Sequence, residues 1–307
     1  MDHSQILGKE PSSESIFITG VDGFAGGHLR RLARDQGFRV TGTSRKTNSP
    51  AEGVYQCNIE DEAELSRIVE SVLPDYVVHL AARSHFVQGD PAQVYRTNVI
   101  GSRNLLSALS KASKSPKRVL LVSSGNVYGI SSQERLKETD ALSPINDYSV
   151  SKVAMEFLAI AWQSFFEIVV ARPFNHIGKG QAGTFLIPKL ARAFQKGLPS
   201  IEVGNTSAIR DFSDVRDVSR AYLSLLLCAA CPVHPINVCT GEGHTVLEII
   251  NLLRSITGHH PEVIAVKGLS RLQEIPRLVG DPASLVRVGG YRPKADLEGC
   301  LRWILSQ

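Results

Sequence analysis

The sequence predicts an α/β protein: an open, doubly wound parallel sheet followed by a smaller mixed lobe. Two observations support the sheet. Apolar strand-like segments alternate with amphipathic helical segments up to about residue 172, and residues 119–122 are apolar without a break, as in a strand covered on both faces. The lobe is predicted because glycine, proline and asparagine become frequent after Arg172 and the predicted elements become shorter.

Each predicted element follows from its own pattern. Clusters of apolar and β-branched residues predict strands at 16–19, 38–43, 76–80, 119–122 and 168–171. Helical periodicity predicts helices after Gly26 and at 62–73, 94–112 and 149–166, and later at 185–196, 218–228 and 245–257. Short strands are expected near 201–203 and 236–238. We assign 16–172 to a Rossmann-like domain, 173–307 mainly to the smaller lobe, with segments able to return to the first sheet, and 1–15 to a flexible tail.

Composition excludes several classes of protein. Of the 307 residues, 43% are hydrophobic and 21% charged, which is close to the globular average and unlike a disordered, collagen-like or coiled-coil chain. A net charge of +4 is too small to indicate nucleic-acid binding, and no apolar run is long enough to predict a membrane span. Five cysteines in no disulfide-framework pattern favour a reducing, cytoplasmic setting, and no cluster predicts a metal site.

A glycine-rich turn follows the first predicted strand. Gly20, Gly23 and Gly26 have the spacing GxxGxxG and open a helix. The first glycine permits the tight turn, the second lets the backbone approach a pyrophosphate, and the third lets the helix pack closely on the strand. Since the helix N-terminus also offers N–H groups to phosphate, this context favours dinucleotide binding over an ordinary strand–helix turn.

The end of the second predicted strand indicates which dinucleotide binds. NAD sites place an acid there for the ribose 2′-hydroxyl, whereas this chain reads Thr43-Ser44-Arg45-Lys46. A guanidinium can bind a 2′-phosphate through two hydrogen bonds. We therefore favour NADP(H), with NAD(H) as the alternative if these cations form only a solvated loop.

A tyrosine and a lysine lie one helical turn apart in Tyr148-Ser149-Val150-Ser151-Lys152. A nearby ammonium is expected to lower the pKa of Tyr148 from about 10, which would make the phenol a usable proton donor to a carbonyl. Ser124 follows the apolar strand at 119–122, at the sheet edge where such folds bind ligands, and its hydroxyl could bond the substrate oxygen. Each feature alone is common; together they predict a catalytic centre.

In combination these motifs resemble the extended short-chain dehydrogenases/reductases, the family of nucleotide-sugar epimerases, dehydratases and reductases. The resemblance runs from Ile16 nearly to the C-terminus and is carried by GVDGFAGGHL, HLAARS, TNVIGS, VSSGNVYG, YSVSK and ARPFNHIG. It implies that Ser124, Tyr148 and Lys152 form the catalytic triad and that Lys152 also holds the nicotinamide ribose.

The resemblance also implies binding residues. Those for the cofactor are Gly20, Gly23, Phe24, Ala25, Gly26, Arg45, Asn58, Ile59, Leu80, Ala81, Ala82, Asn98, Tyr148 and Lys152. Asn58 stands where the family usually has Asp. Those implied for the substrate are Ser84, Asn126, Asn175, Lys189, Val203, Asn205, Arg210, Arg271 and Glu274.

Two positions beside Ser124 bear on the reaction. Dehydratases of the family carry an acid there, whereas this chain has Gly125 and Asn126, neither of which acts as a base at neutral pH. Simple hydride transfer needs no such group. In the second lobe Arg210, Arg271 and Glu274 resemble the residues that meet the nucleotide in GDP-sugar enzymes; a guanidinium suits the diphosphate and a carboxylate suits guanine.

The resemblance therefore implies an NADP(H)-dependent reductase of the 4-keto group of a GDP-4-keto-6-deoxy sugar, active as a homodimer paired through 94–112 and 149–166. The alternative is a nucleotide-sugar 4-epimerase with bound NAD, which needs the same catalytic groups. A regulatory dinucleotide-binding protein without catalysis is a third possibility, although such relatives typically lack the Tyr–Lys pair. The product configuration at C4 stays open.

Overall fold

Thirteen strands and ten α-helices make up the computed structural model, which describes residues 14–46, 52–84, 90–230, 234–266 and 274–306. The strands are β1 (Ser15–Thr19), β2 (Arg39–Ser44), β3 (Val54–Gln56), β4 (Tyr76–His79), β5 (Arg118–Val122), β6 (Ile168–Pro173), β7 (Asn175–Ile177), β8 (Ser200–Val203), β9 (Ile209–Asp214), β10 (Ile236–Val238), β11 (Gly243–Thr245), β12 (Glu262–Ala265) and β13 (Arg277–Leu278).

In the described part of the chain, eight α-helices lie between strands, as the alternating sequence pattern predicts, and the last two follow the final strand. They are α1 (Phe24–Asp35), α2 (Glu62–Val72), α3 (Ala92–Tyr95), α4 (Gly101–Lys111), α5 (Asp147–Trp162), α6 (Leu186–Gln195), α7 (Val215–Leu226), α8 (Val246–Thr257), α9 (Ala283–Gly289) and α10 (Leu297–Leu305). A π-helical segment at Arg96–Ile100 joins α3 to α4, and a 3₁₀ turn spans Gly125–Tyr128. No helix in the described ranges is long and apolar enough to cross a membrane.

Seven strands form one parallel sheet in the order β10-β6-β5-β4-β1-β2-β3, which confirms the doubly wound α/β fold. Successive side chains point to opposite faces. Ile16 and Ile18 therefore belong to the apolar layer that includes α1 and α7, whereas Phe17 belongs to the layer that includes α2, α4 and α5. Both faces are covered, and this explains why residues 119–122 of the central strand β5 are apolar without a break.

The second lobe is built on two small sheets. β9 pairs with β7 and β13 in parallel and with β11 antiparallel, while β8 pairs in parallel with β12. Helices α6, α8 and α10 supply its apolar core. The chain crosses back, because β10 pairs with β6 in the large sheet and α7 packs against the first domain.

Several element boundaries differ from the predicted ones for local reasons. The helix expected at 94–112 is divided by the π-helical segment around Asn98, whose side chain bonds outside the helix. Helix α5 begins at Asp147 because Asn146 caps it through a bond from the Ser149 backbone, and it ends at Trp162 instead of 166. Of the expected tail, only residues 14 and 15 lie in the described ranges, and Ser15 is the buried first residue of β1.

The register of the parallel strands brings the loops that carry the candidate site to one edge. Thr19 is aligned with His79, His79 with Leu121, and Val122 with Ala171. The residues that follow these four strands therefore emerge side by side, as in other open parallel sheets that bind ligands at their carboxyl edge.

We predict opposite effects from adding a methyl group at two adjacent glycines of α1. A Cβ atom on Gly26 would lie 2.2 Å from the Gly20 carbonyl oxygen, whereas one on Gly27 would meet nothing within 4 Å. Gly26→Ala should destabilise the fold by about 1–3 kcal/mol, and Gly27→Ala should stabilise it by up to about 1 kcal/mol through better helix propensity. Thermal unfolding of both variants tests this; equal melting temperatures would contradict it.

Candidate active site

The glycine turn has the geometry of a phosphate cradle. Gly20 adopts a left-handed φ of 70°, and the N–H of Gly23 donates to its carbonyl at 2.9 Å. No side chain caps α1 at Gly23, and its first turn contains no acid. An approaching anion therefore meets backbone N–H groups and the positive end of the helix dipole. The residues present fit a dinucleotide pyrophosphate, with Phe24 and Ala25 in the first turn of the helix.

Three further segments, which follow β2, β3 and β4, complete the candidate cofactor groove. Arg45 is exposed directly after β2 and makes no hydrogen bond or ion pair to another residue of the described part of the chain. Ala81, after β4, approaches the glycine turn so closely that a Cβ on Gly20 would lie 3.1 Å from the Ala81 backbone nitrogen.

Ile59 is buried against Gly101, and the Asn58 side chain accepts a bond from the Glu60 N–H at 3.3 Å. The half-buried Leu80, the exposed Ala82 and the half-buried Ser84 lie along the loop after β4.

Both the oxygen and the nitrogen of the Asn98 side chain are hydrogen-bonded to other residues of the protein. Its side-chain oxygen accepts the Arg83 N–H at 2.8 Å, and its amide donates to the Arg83 carbonyl at 3.0 Å and to the Ser151 hydroxyl at 2.9 Å. Asn98 therefore fastens the loop after β4 to helix α5. The π-helical segment places it there, a distortion that occurs frequently at functional sites.

A buried histidine beneath the groove was not singled out from the sequence, although it lies in the HLAARS motif. His79 bonds the Thr19 hydroxyl through Nδ1 at 2.7 Å and the Ser102 hydroxyl through Nε2 at 2.9 Å. Because the Ser102 proton is donated to the Asn98 carbonyl at 2.6 Å, Nε2 of His79 carries the proton. Burial lowers the pKa of His79 to about 3, so the ring is neutral and joins β1, β4 and α4.

The three predicted catalytic side chains meet at the carboxyl end of β5. Ser124 lies two residues after the end of β5 and caps the 3₁₀ turn, and its hydroxyl hydrogen-bonds the Tyr148 phenol. Lys152 lies one turn along α5, and its ammonium donates to the Val122 carbonyl at 2.7 Å. The Asn126 amide donates to the Ser124 oxygen at 3.0 Å, which places Asn126 beside the reacting position.

The ionisation of this centre differs from the expected one. Burial raises the pKa of Tyr148, and the hydrogen bond from Ser124 only partly offsets this increase. The prediction that the lysine lowers the pKa below its ordinary value is therefore wrong for this structure: the ammonium lies 6.0 Å from the centre of the Tyr148 ring and bonds Val122 instead. Burial lowers the pKa of Lys152 to about 8, and nearby Glu156 opposes that shift. A protonated Tyr148 is the form that can donate to a carbonyl oxygen.

The second lobe brings together three of the predicted substrate residues. The Asn205 amide donates to the Glu274 carboxylate at 3.0 Å, and the Arg210 guanidinium lies 3.8 Å from the same carboxylate. The Lys189 ammonium is bonded elsewhere, to the Glu202 carbonyl at 3.1 Å, and Val203 is buried at the end of β8. Arg271 lies outside the described residues.

Aromatic stacking connects the glycine turn to the second lobe, another feature that the sequence did not predict. The Phe24 ring is parallel to the His176 ring, with 5.7 Å between their centres. Asn175, next to His176, is exposed on β7. Phe174, which precedes Asn175, packs on Gly125 so closely that a Cβ on that glycine would lie 3.1 Å from the ring. Gly125 directly follows Ser124, so this contact brings the start of β7 close to Ser124. These contacts join the cofactor groove, the triad and the lobe into one site.

A glycine cradle beside a Ser–Tyr–Lys centre defines an oxidoreductase that uses a nicotinamide dinucleotide. Comparison with known proteins identifies the family. Residues 16–239 match the NAD dependent epimerase/dehydratase family. The chain therefore belongs to that family, the extended short-chain dehydrogenases/reductases, as its motifs suggest.

Relatives of known name are similar over almost the whole chain. A GDP-6-deoxy-D-talose 4-dehydrogenase from Aggregatibacter actinomycetemcomitans is 34% identical over 90% of this chain and 91% of its own. A GDP-6-deoxy-D-mannose reductase from Pseudomonas aeruginosa is 34% identical over 96% and 97%. The solved structure of RMD from Pseudomonas aeruginosa complexed with NADPH aligns with a TM-score of 0.84 at 33% identity, covering 96% of this chain and 98% of that one.

The depressed pKa of Lys152 predicts the pH dependence of carbonyl reduction by this centre. The raised pKa of Tyr148 keeps the donor protonated at neutral pH, whereas Lys152 loses its proton as the pH rises through about 8. The kcat for reduction should therefore be flat near neutrality and fall above about pH 8. A profile that stays flat to about pH 10, the ordinary lysine value, would contradict this assignment.

Proposed function

We propose that this protein reduces the 4-keto group of a GDP-4-keto-6-deoxy sugar with NADPH, the reaction of a GDP-6-deoxy-D-lyxo-4-hexulose reductase. The observation that carries the proposal is the protonated Tyr148 phenol, half-buried and hydrogen-bonded to Ser124 at the end of β5. The phenol is a proton donor at the place where the substrate carbonyl would lie. This place and the glycine turn are both at the carboxyl edge of the large sheet.

The proposed mechanism assigns one task to each side chain. A bound NADPH supplies the hydride equivalent. Tyr148 donates its proton to the alkoxide oxygen that develops at C4, while Ser124 orients the carbonyl through a hydrogen bond. Lys152 would hold the nicotinamide ribose and would supply the positive charge that favours transfer of the phenolic proton.

Two features support reduction over dehydration. Positions 125 and 126, beside Ser124, hold glycine and asparagine. Gly125 packs so closely on the Phe174 ring that a larger side chain would have to displace it, and Asn126 is bonded to Ser124. Removal of a sugar proton needs a base in this place, and neither residue is one.

The substrate nucleotide is inferred from the cluster in the second lobe. Arg210 suits a diphosphate because guanidinium groups pair with phosphate in a planar, two-bonded geometry. The Glu274 carboxylate, half-buried beside Asn205 and Arg210, suits the N1–H and amino group of guanine. Both relatives described above are also named for GDP-sugars.

The proposal of NADPH rests on the end of β2. Thr43, Ser44 and the exposed Arg45 stand where an acid would be expected for NAD, and Arg45 is available for a 2′-phosphate. The similar Pseudomonas aeruginosa structure is described as complexed with NADPH.

We expect the protein to oxidise NADPH when mixed with GDP-4-keto-6-deoxymannose generated in place by a dehydratase. Loss of nicotinamide absorbance measures the reaction, and NMR of the sugar gives the configuration at C4. A rhamno or a talo product fits the same mechanism.

Tyr148→Phe should lose about 10²–10⁴-fold in kcat while NADPH affinity changes little. NADH should support a lower rate. Wild-type turnover by Tyr148→Phe would contradict the mechanism.

A nucleotide-sugar 4-epimerase is the second candidate, because it uses the same Ser124, Tyr148 and Lys152 groups. It would recycle its bound cofactor and show no net NADPH oxidation. Conversion of a nucleotide sugar into its 4-epimer without cofactor consumption would favour this reaction over reduction.

We also propose that two copies of the chain pair through α5. Val150, Phe157 and Ile160 follow one face of this helix at helical spacing and are 39%, 63% and 59% exposed. Ile100, in the π-helical segment packed beside α5, is 47% exposed. A contiguous exposed apolar face of this kind is typical of a protein interface.

Phe157→Arg should convert the dimer into a monomer, because it places a charge in the middle of the proposed interface. Leu247→Arg is the matched control: Leu247 is 46% exposed on α8, in the second lobe, away from this face. Light scattering after size exclusion gives the masses. A wild-type monomer, or a Phe157→Arg protein that stays dimeric, would refute the pairing.

A further inference from the structure

A buried ion pair lies behind the catalytic side chains. The Arg172 guanidinium bonds the Glu156 carboxylate through two nitrogens, at 2.6 and 2.9 Å, and the two side chains are only 4% and 7% exposed. Glu156 lies one helical turn after Lys152 and two turns after Tyr148, so all three occupy the same face of α5. The mechanism above uses neither member of this pair.

The carboxylate also fastens α5 to the end of β5. The Ser123 hydroxyl donates to Glu156 at 2.5 Å. Ser123 stands between Val122, whose carbonyl accepts the Lys152 ammonium, and the catalytic Ser124. One carboxylate therefore sets the position of the helix that carries the tyrosine and lysine relative to the strand end that carries the serine.

Arg172 extends this link to the turn that follows Ser124. Its guanidinium donates to the Tyr128 oxygen at 2.9 Å and lies 4.9 Å from the centre of that ring. Tyr128 in turn donates to the Asn237 side chain on β10 at 2.7 Å. The bonds from Glu156 and Arg172 thus hold α5, the end of β5 and the 3₁₀ turn together.

The charges around Lys152 give Glu156 a second effect. Glu156 and Tyr148 face Lys152 from its own helix, neutral His79 faces it from β4, and Arg172 on β6 is balanced by Glu156. Without the carboxylate, the Arg172 guanidinium would be a buried and uncompensated charge, and Lys152 would lose the negative charge that favours its protonated form. Tyr222, the phenol near Tyr148 on α7, is also held neutral by burial, which raises its pKa.

We propose that Glu156 is a positioning residue of the catalytic centre: it holds Lys152 and Ser124 in their relative positions and provides the negative charge that keeps Lys152 protonated. Its effect on rate rests on the proposed function, whereas its effect on the protonation of Lys152 does not.

The test compares the titration of Lys152 in three variants. The lysine is followed by NMR of its side-chain carbon in labelled protein and assigned with Lys152→Met. Glu156→Gln should lower the titration midpoint by about 0.5–1 pH unit and move the alkaline limb of kcat equally, with little change in KM. Glu156→Asp, which restores the charge, should return the midpoint to the wild-type value.

Glu167→Gln is the control, because it removes the carboxylate from another buried arginine, Arg118, at the opposite end of β5. It should affect stability without moving the Lys152 midpoint. A folded Glu156→Gln protein with the wild-type midpoint would overturn the proposal. A shifted midpoint in a protein whose wild type reduces no 4-keto sugar would refute only the proposed function.

Ser123→Ala provides a test that does not depend on the folding of Glu156→Gln. It removes only the bond between the strand end and the carboxylate, and its kcat should fall about 3- to 10-fold, the equivalent of one hydrogen bond, at unchanged KM. Wild-type kcat in Ser123→Ala would overturn the positioning role.

Discussion

The hydrogen bond from the buried Lys152 ammonium to the Val122 carbonyl joins the two elements on which the proposed catalytic centre depends. A buried cation is costly unless it is bonded, so α5 can pack on the sheet only where this acceptor is available. That position places Tyr148 over Ser124 at the end of β5. The same burial raises the pKa of Tyr148 and lowers that of Lys152, so packing and proton chemistry have one cause.

Close backbone approach imposes the second constraint, on the cofactor side. Gly26 lies so near the Gly20 carbonyl that a Cβ atom there would clash with it, and Ala81 closes on Gly20 from the loop after β4. His79 holds these loops from below, through Thr19 and Ser102, as a neutral ring. Asn98 then ties the loop after β4 to Ser151 on α5, so the candidate cofactor groove and the helix that carries Tyr148 and Lys152 share one set of bonds.

The sequence predicted the large sheet well because its strands are buried on both faces, which leaves an unambiguous apolar pattern at 119–122. It did not reveal short strands such as β3 and β13, whose few residues carry no periodicity, or the π-helical segment, which depends on long-range bonds of Asn98. Local motifs located Ser124, Tyr148 and Lys152. They could not show that burial would outweigh the effect of the lysine on Tyr148, since burial is a property of the folded chain.

We propose that hydride passes from NADPH to a sugar carbonyl at this centre and that the oxidised cofactor is then released. Incubation of the enzyme with GDP-4-keto-6-deoxymannose and NADPH deuterated at the transferable nicotinamide position tests it most directly, with NMR of the product sugar. We expect one deuterium at C4 of the reduced sugar for each NADPH oxidised. Recovery of unlabelled sugar and unconsumed cofactor would contradict it.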